Sequence, residues 1–296
     1  MRVVINQGRI SRNRQIAQIL FFVSLAVLIG GLIFTNTIGT TTSGLLVLVP
    51  LLVMPLGLTT TIISVRLTNE FVRLPHPDEA IDEGLDGIDP RSVVYHYVLP
   101  LKHVLIAPQG IYSLTTRFQE TRYTIEGDKW LNWKARGPFA PIFLFLRQEA
   151  LGDPFKEATR DAETIQAMVD KALPGVDIKV QPVVVFTSPK ATLEVNNPAL
   201  PVVYADRKKK PSLKGLLRKD KAESTDPEEP KKVARPKKKS RNPHKPSAKT
   251  STSEDLTGSG PIRLTTEQID MLDQAFMASV SPRVLNGVFR NDEDEE

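Results

Sequence analysis

The chain has 296 residues, 41% of them hydrophobic and 25% charged, with a net charge of +5. It contains no cysteine, which excludes disulfides, zinc–thiolate sites, iron–sulfur clusters and thiol nucleophiles. The averages hide a segregation: apolar residues gather near the start, while 207–250 carries 17 Lys/Arg against 5 Asp/Glu, leaving the remainder net acidic.

Residues 1–15 hold Arg2, Arg9, Arg12 and Arg14, and from Gln15 to Val65 there is no Asp, Glu, Lys or Arg. Two apolar runs, 16–34 and 44–66, each match the roughly 20 residues needed to cross a hydrocarbon core of about 30 Å. They are predicted to be transmembrane helices joined by the uncharged polar loop 35–43. Arg66 and Arg73 follow the second run. Because Lys/Arg-rich flanks stay on the cytoplasmic side, both ends of this hairpin, the soluble region and both termini are expected there. A cleaved signal peptide fits poorly, since Phe34-Thr-Asn-Thr lacks the small-residue pattern of a cleavage site. Pro50 and Pro55 leave open a kinked or re-entrant second span. Neither run contains a charged group, so the pair reads as an anchor in the bilayer and not as a transport path.

Residues 67–90, with seven acids and three prolines, read as a polar linker. Strand signals follow at Ser92–Leu101, His103–Ala107 and Ile111–Arg117, the last two joined by Pro108-Gln109-Gly110 as a hairpin. Arg122–Trp133 is a further strand with a turn at Gly127. Asp153-Pro154 pairs an N-cap aspartate with proline at the first helical position. Ala158, Ala162, Ile165, Val169 and Leu173 then share one helical face, and Pro174-Gly175 ends it. Ile178–Thr187 and Leu200–Ala205 read as buried strands. The expectation for 91–218 is an α/β domain in which a mixed sheet carries flanking helices.

The run Lys102-His-Val-Leu-Ile-Ala-Pro-Gln-Gly-Ile-Tyr-Ser-Leu-Thr-Thr-Arg117 resembles the core of the nuclease-related (NERD) domain family. The helix start Asp153-Pro-Phe-Lys-Glu-Ala158 and the Val-Val-Val-Phe strand resemble it too. The resemblance covers about 89–218 and implies a restriction-endonuclease-like fold. In that family two carboxylates hold Mg²⁺ and a lysine helps place the attacking water. Carried over residue by residue, the carboxylate positions are Lys102 and Thr115, the lysine position is Arg117, and the helix-start glutamine is Glu157. The resemblance therefore implies a retained shape without the family's metal ligands, and no cofactor. Lys102 and Arg117 form either a small anion-binding patch or two ordinary exposed bases. The competing reading is a membrane-tethered, Mg²⁺-dependent nuclease with a relocated site, for which Glu126 and Asp128 are the candidate acids. Trp130 and Trp133 either stack on bases or cover a sheet face.

From 219 to 262 the sequence is too poor in apolar residues to bury a core and is expected to be a disordered basic linker. Lys208, Lys209 and Lys210 precede it, and Lys237, Lys238 and Lys239 lie within it. Anionic lipid, nucleic acid and a merely solvated linker all suit such a segment. In 263–296, Ile269, Leu272, Phe276 and Val280 share one face of a short helix capped by Thr265 and Gln268, before an acidic end. That face is expected to dock on the domain or to fill a protein partner's groove.

Overall fold

Period-two alternation organises the strands. In β2 (Val93–His96), β3 (His103–Ala107) and β7 (Val180–Phe186) the whole strand is apolar or nearly so, the pattern of a sheet covered on both faces. The computed structural model describes residues 1–38, 48–132, 151–223, 263–282 and 284–285. It confirms a mixed α/β architecture. A six-stranded sheet has the order β1-β2-β3-β4-β7-β9, with β1 Arg2–Ile5, β4 Gly110–Arg117 and β9 Val202–Tyr204. The β2–β3–β4 meander is antiparallel, and β1, β7 and β9 join in parallel. A smaller sheet, β6-β5-β8, is built from Arg122–Gly127 (β5), Lys129–Asn132 (β6) and Thr192–Pro198 (β8).

Helices cover both faces of the larger sheet. On one, Tyr95, Val104, Ile106 and Ile111 pack against α4 (Pro154–Ala172) and the C-terminal helix α6 (Thr266–Ser279). On the other, Val94, Leu105, Leu114 and Val185 meet α3 (Pro77–Leu85) and α5 (Leu213–Glu223). The Asp153 carboxylate accepts from the Lys156 N–H at 3.1 Å and caps α4. The expected apolar stripe of α4 is buried. Gln166 fastens α4 to β7: its amide nitrogen donates to Ile178 O at 2.8 Å and its oxygen accepts from Val180 N at 2.8 Å. Thr265 and Gln268 form the expected capping box, and Leu264, Ile269, Leu272, Phe276 and Val280 are buried in the chain's own core. The apolar face read from the sequence as a docking element is thus occupied within the molecule.

Two readings need correction. The acidic segment expected to be a linker carries α3, with Ile81 and Leu85 fully buried; Glu79 and Glu83 are exposed while Ala80, Ile81, Gly84 and Leu85 form an inward stripe. A Cβ added at Gly84 meets Ala205 O at 2.4 Å, so α3 rests directly on the backbone that follows β9. The helix that ends the domain runs to Glu223, beyond the expected boundary at 218. Residues 39–43 of the loop, most of the basic linker with Lys237, Lys238 and Lys239, Trp133 and the acidic end lie outside the described residues.

The N-terminal half holds α1 (Gln7–Ile38) and α2 (Leu48–Phe71). Residues 7–34 are long and apolar enough to cross a membrane. Large apolar side chains such as Phe22 (66% exposed) and Leu32 (64%) face outward along α1. Instead of starting at residue 16, α1 includes Arg9, Arg12 and Arg14, and its 32 residues extend about 48 Å, well beyond a 30 Å core. α2 lies along α1: Ser64 Oγ donates to Ala17 O at 3.2 Å. A Cβ on Gly57 would touch Leu28 at 3.2 Å, so the glycine permits a close crossing. Pro55 sits inside α2 without ending it. The hydroxyls of Thr59, Thr60 and Thr61 turn back onto carbonyls of the preceding turn at 2.7–3.0 Å, which satisfies them inside an apolar helix.

Candidate functional site

β1 precedes α1 and pairs with β2, Arg2 opposite Val93 through Ile5 opposite His96. Both ends of the helical hairpin therefore meet the domain. The joint is the β2–β3 connection. Asn6 Nδ2 and Arg9 Nη1 donate to Tyr97 O at 3.3 and 3.4 Å, and the Tyr97 ring stacks on Phe71 at the end of α2, 5.3 Å between centroids. Tyr97 has φ of 60°, a left-handed conformation that costs a non-glycine residue about 1–2 kcal/mol. The bond from its own N–H to Lys102 O, 2.6 Å, helps hold it there.

A cleft of about 270 Å³ opens beside this joint. Arg66, Asn69 and Glu70 reach it from α2, Lys102 from the β2–β3 connection, Arg117 and Gln119 from the end of β4, and Glu157 from the first turn of α4. Thr115 and Arg117 stand two residues apart on β4 and so share the sheet face that α4 covers. Glu157 and Asp161, one helical turn apart, meet them. Arg117 is buried to 9% exposure, donates from Nη2 to Glu157 Oε2 at 2.7 Å and from Nη1 to Thr116 O at 3.0 Å. The Thr115 hydroxyl donates to Asp161 Oδ2 at 3.0 Å. Lys102 Nζ lies 2.8 Å from Glu70 Oε2.

Burial pushes the Glu157 carboxyl up, but the bond and charge of Arg117 outweigh it, and the net shift is downward. For Asp161 burial wins over the Thr115 bond, and its carboxyl is held above the ordinary range. Of the positions singled out by sequence, Lys102, Arg117 and Glu157 line one cleft, and Thr115 lies beside it, bonded to Asp161. Acids converge there as well: Glu70 and Glu157 line the cleft, and Asp161 lies one helical turn further along on Thr115. The sequence offered no local sign of Glu70, which arrives from α2; for Asp161 the four-residue spacing from Glu157 beside a buried helical stripe was the available clue. These residues do not make a Mg²⁺ site: Glu157 is held by Arg117, Asp161 receives a hydroxyl, and a cation placed among them meets Lys102 and Arg117.

The other candidates fall elsewhere. Glu126 and Asp128 are exposed around the β5–β6 turn, Glu126 opposite Lys129, and neither lines the cleft. Lys208 and Lys210 are exposed. Lys209 is engaged internally, donating to Ala191 O at 2.6 Å with its ammonium 5.0 Å over the Tyr204 ring, which corrects its reading as a free anion-binding group. Trp130 packs on Phe155, 4.9 Å between centroids, as part of the smaller sheet's core.

A second polar cluster lies on the α3 side of the sheet. His96 and His103 are opposite one another in register, with their Nδ1 atoms 2.7 Å apart, and His96 Nε2 lies 3.0 Å from Asp82 Oδ1. In comparisons with known proteins, the chain matches no family model, no curated sequence and no solved structure.

Proposed function

We propose that this protein is a membrane-anchored, non-catalytic binding module with a restriction-endonuclease-like domain of the NERD type, serving an anionic partner at the inner membrane face. α1 and α2 act as two spans with both ends cytoplasmic. The observation that carries the reading is the cleft itself. Where the NERD resemblance expects carboxylates and a lysine, the chain has Lys102, Thr115 and Arg117, each already paired with Glu70, Asp161 or Glu157. Such a site is organised to hold charge in place, and it lacks an open coordination shell from which a metal could activate water. Arg66 is the first charge after the apolar stretch and also lines the cleft, which favours anionic lipid over nucleic acid as the partner. The basic segment 207–250 adds a diffuse attraction of about 1 kcal/mol per basic residue close to an anionic surface.

The test uses the full chain in phosphatidylcholine nanodiscs, incubated with plasmid and single-stranded DNA plus Mg²⁺ or Mn²⁺. The expected result is intact DNA, with the nanodiscs instead associating with phosphatidylglycerol vesicles in a salt-sensitive manner. Metal-dependent cleavage would overturn this reading: abolished by Glu126→Ala or Asp128→Ala it establishes the relocated-site nuclease, and abolished by Glu157→Gln a nuclease at the cleft. Salt-sensitive retention of uncut DNA, without vesicle association, would make nucleic acid the partner.

A further inference from the structure

From the same cleft, and resting on the anchored reading above, we infer that it is a binding site for a single phosphodiester headgroup bearing hydroxyl groups, of the phosphoglycerol kind. Three observations converge on it. First, three buried polar atoms of cleft-lining residues have no protein partner: Asn69 Nδ2, Arg117 Nε and Gln119 Oε1. Arg117 and Gln119 are themselves only 9% and 5% exposed. Buried polar groups in native proteins are paired as a rule, so an orphaned trio at one opening marks a place where something else supplies the bonds. Two of the three donate and one accepts. Monohydrogen phosphate can reach all three through its own P–OH, but it brings two negative charges to a lining with an excess of one positive charge. A phosphate esterified to a hydroxylated alcohol satisfies all three, its oxygens accepting from Asn69 and Arg117 and a hydroxyl donating to Gln119.

Second, the charge matches. The lining carries Arg66, Lys102 and Arg117 against Glu70 and Glu157, three cations and two carboxylates. The excess of one positive charge suits a phosphodiester monoanion. Arg117 keeps its Glu157 contact through Nη2 while Nε remains for the ligand, so binding does not require that ion pair to break.

Third, the height is right. The uncharged stretch of α2 ends at Val65. Asn69 lies four residues further, about 6 Å along a helix. The headgroup layer of one leaflet is about 5–7 Å thick, from a total of about 40–45 Å around a 30 Å core. A lipid beside α2 can therefore enter the cleft without leaving its leaflet.

The full chain, purified in mild detergent with a mixture of phosphatidylglycerol and phosphatidylcholine, is examined by native mass spectrometry for retained lipid. One phosphatidylglycerol is expected to be kept in preference to phosphatidylcholine. Asn69→Ala and Arg117→Gln should each lower its retention about tenfold, the value of one charge-assisted hydrogen bond. Lys171→Gln, which removes an exposed base at the far end of α4 outside the cleft, should retain it unchanged, which separates the cleft from surface charge in general. Binding of soluble glycerophosphoglycerol with the same variant pattern, but without lipid retention, supports the same chemistry from a soluble source. Equal retention of both lipids, or retention insensitive to Asn69→Ala while Asn69→Ala keeps the wild-type melting temperature, overturns the assignment.

Discussion

His103 is the sharpest case of a residue whose setting dictates its behaviour. It is fully buried, and burial first, then the neighbouring His96 and Lys102, holds its imidazole well below the usual value near 6.5. Between that lowered value and about 6.5 the unfolded chain carries the proton and the folded chain does not. Acidification through this window therefore favours unfolding. Stability should be flat from pH 8 to 7 and fall below about 6.5, at no more than about 1.4 kcal/mol per pH unit from this group. Urea midpoints of the full chain in micelles across pH 5–8 test it: His103→Asn should flatten the slope below 6.5, and an unchanged slope would assign the acid sensitivity elsewhere. Single residues also show why the cleft was only half legible in the sequence. Thr115, Arg117 and Glu157 sit in motif-bearing stretches and could be singled out by position. Glu70 reaches the cleft through the packing of α2 on the domain, and no local pattern encodes that meeting.

Secondary elements were readable where hydrophobic period and capping agreed. α4 has an N-cap, a proline, a continuous apolar stripe and a Pro-Gly stop, all in register with one another. The β3–β4 hairpin and the capped helix α6 gave equally consistent signals. α3 was obscured because its acids outnumber its apolar residues, although Pro77 at its start and the Ala80, Ile81, Gly84, Leu85 stripe were present. β1 is four residues flanked by charge, and β8 is half-exposed with two asparagines, too little for a period to show. α6 merits a direct measurement. Phe276 is buried against Tyr95, 5.9 Å between ring centroids, and Asp273 binds both Arg2 and the Tyr95 hydroxyl. Phe276→Ala should cost about 3–5 kcal/mol and Thr265→Ala about 1 kcal/mol, read as shifts in the urea midpoint. Near-zero values for both would show that α6 is not part of the cooperative core.

At the scale of the whole molecule, the hairpin and the domain are one construction, joined by β1, the Tyr97–Phe71 stack and the Lys102–Glu70 pair. The chain has no native cysteine, which makes its topology straightforward to map. In intact cells an impermeant maleimide should label Thr37→Cys, at the loop end of α1, and should label Lys156→Cys, exposed on α4, only after the membrane is opened. Labelling of Lys156→Cys in intact cells would refute the proposed cytoplasmic placement of the domain.

The pairing of β1 with β2 also bears on how the protein is made. β1 is synthesised first, yet its partner emerges only after both long helices have been completed. A β1 held away from the domain leaves the sheet without its edge strand and Asp273 without Arg2. On the proposed two-span reading, insertion of the hairpin with its first residues on the domain's side is a condition for completing the sheet, and without it the β2 edge is left unpaired.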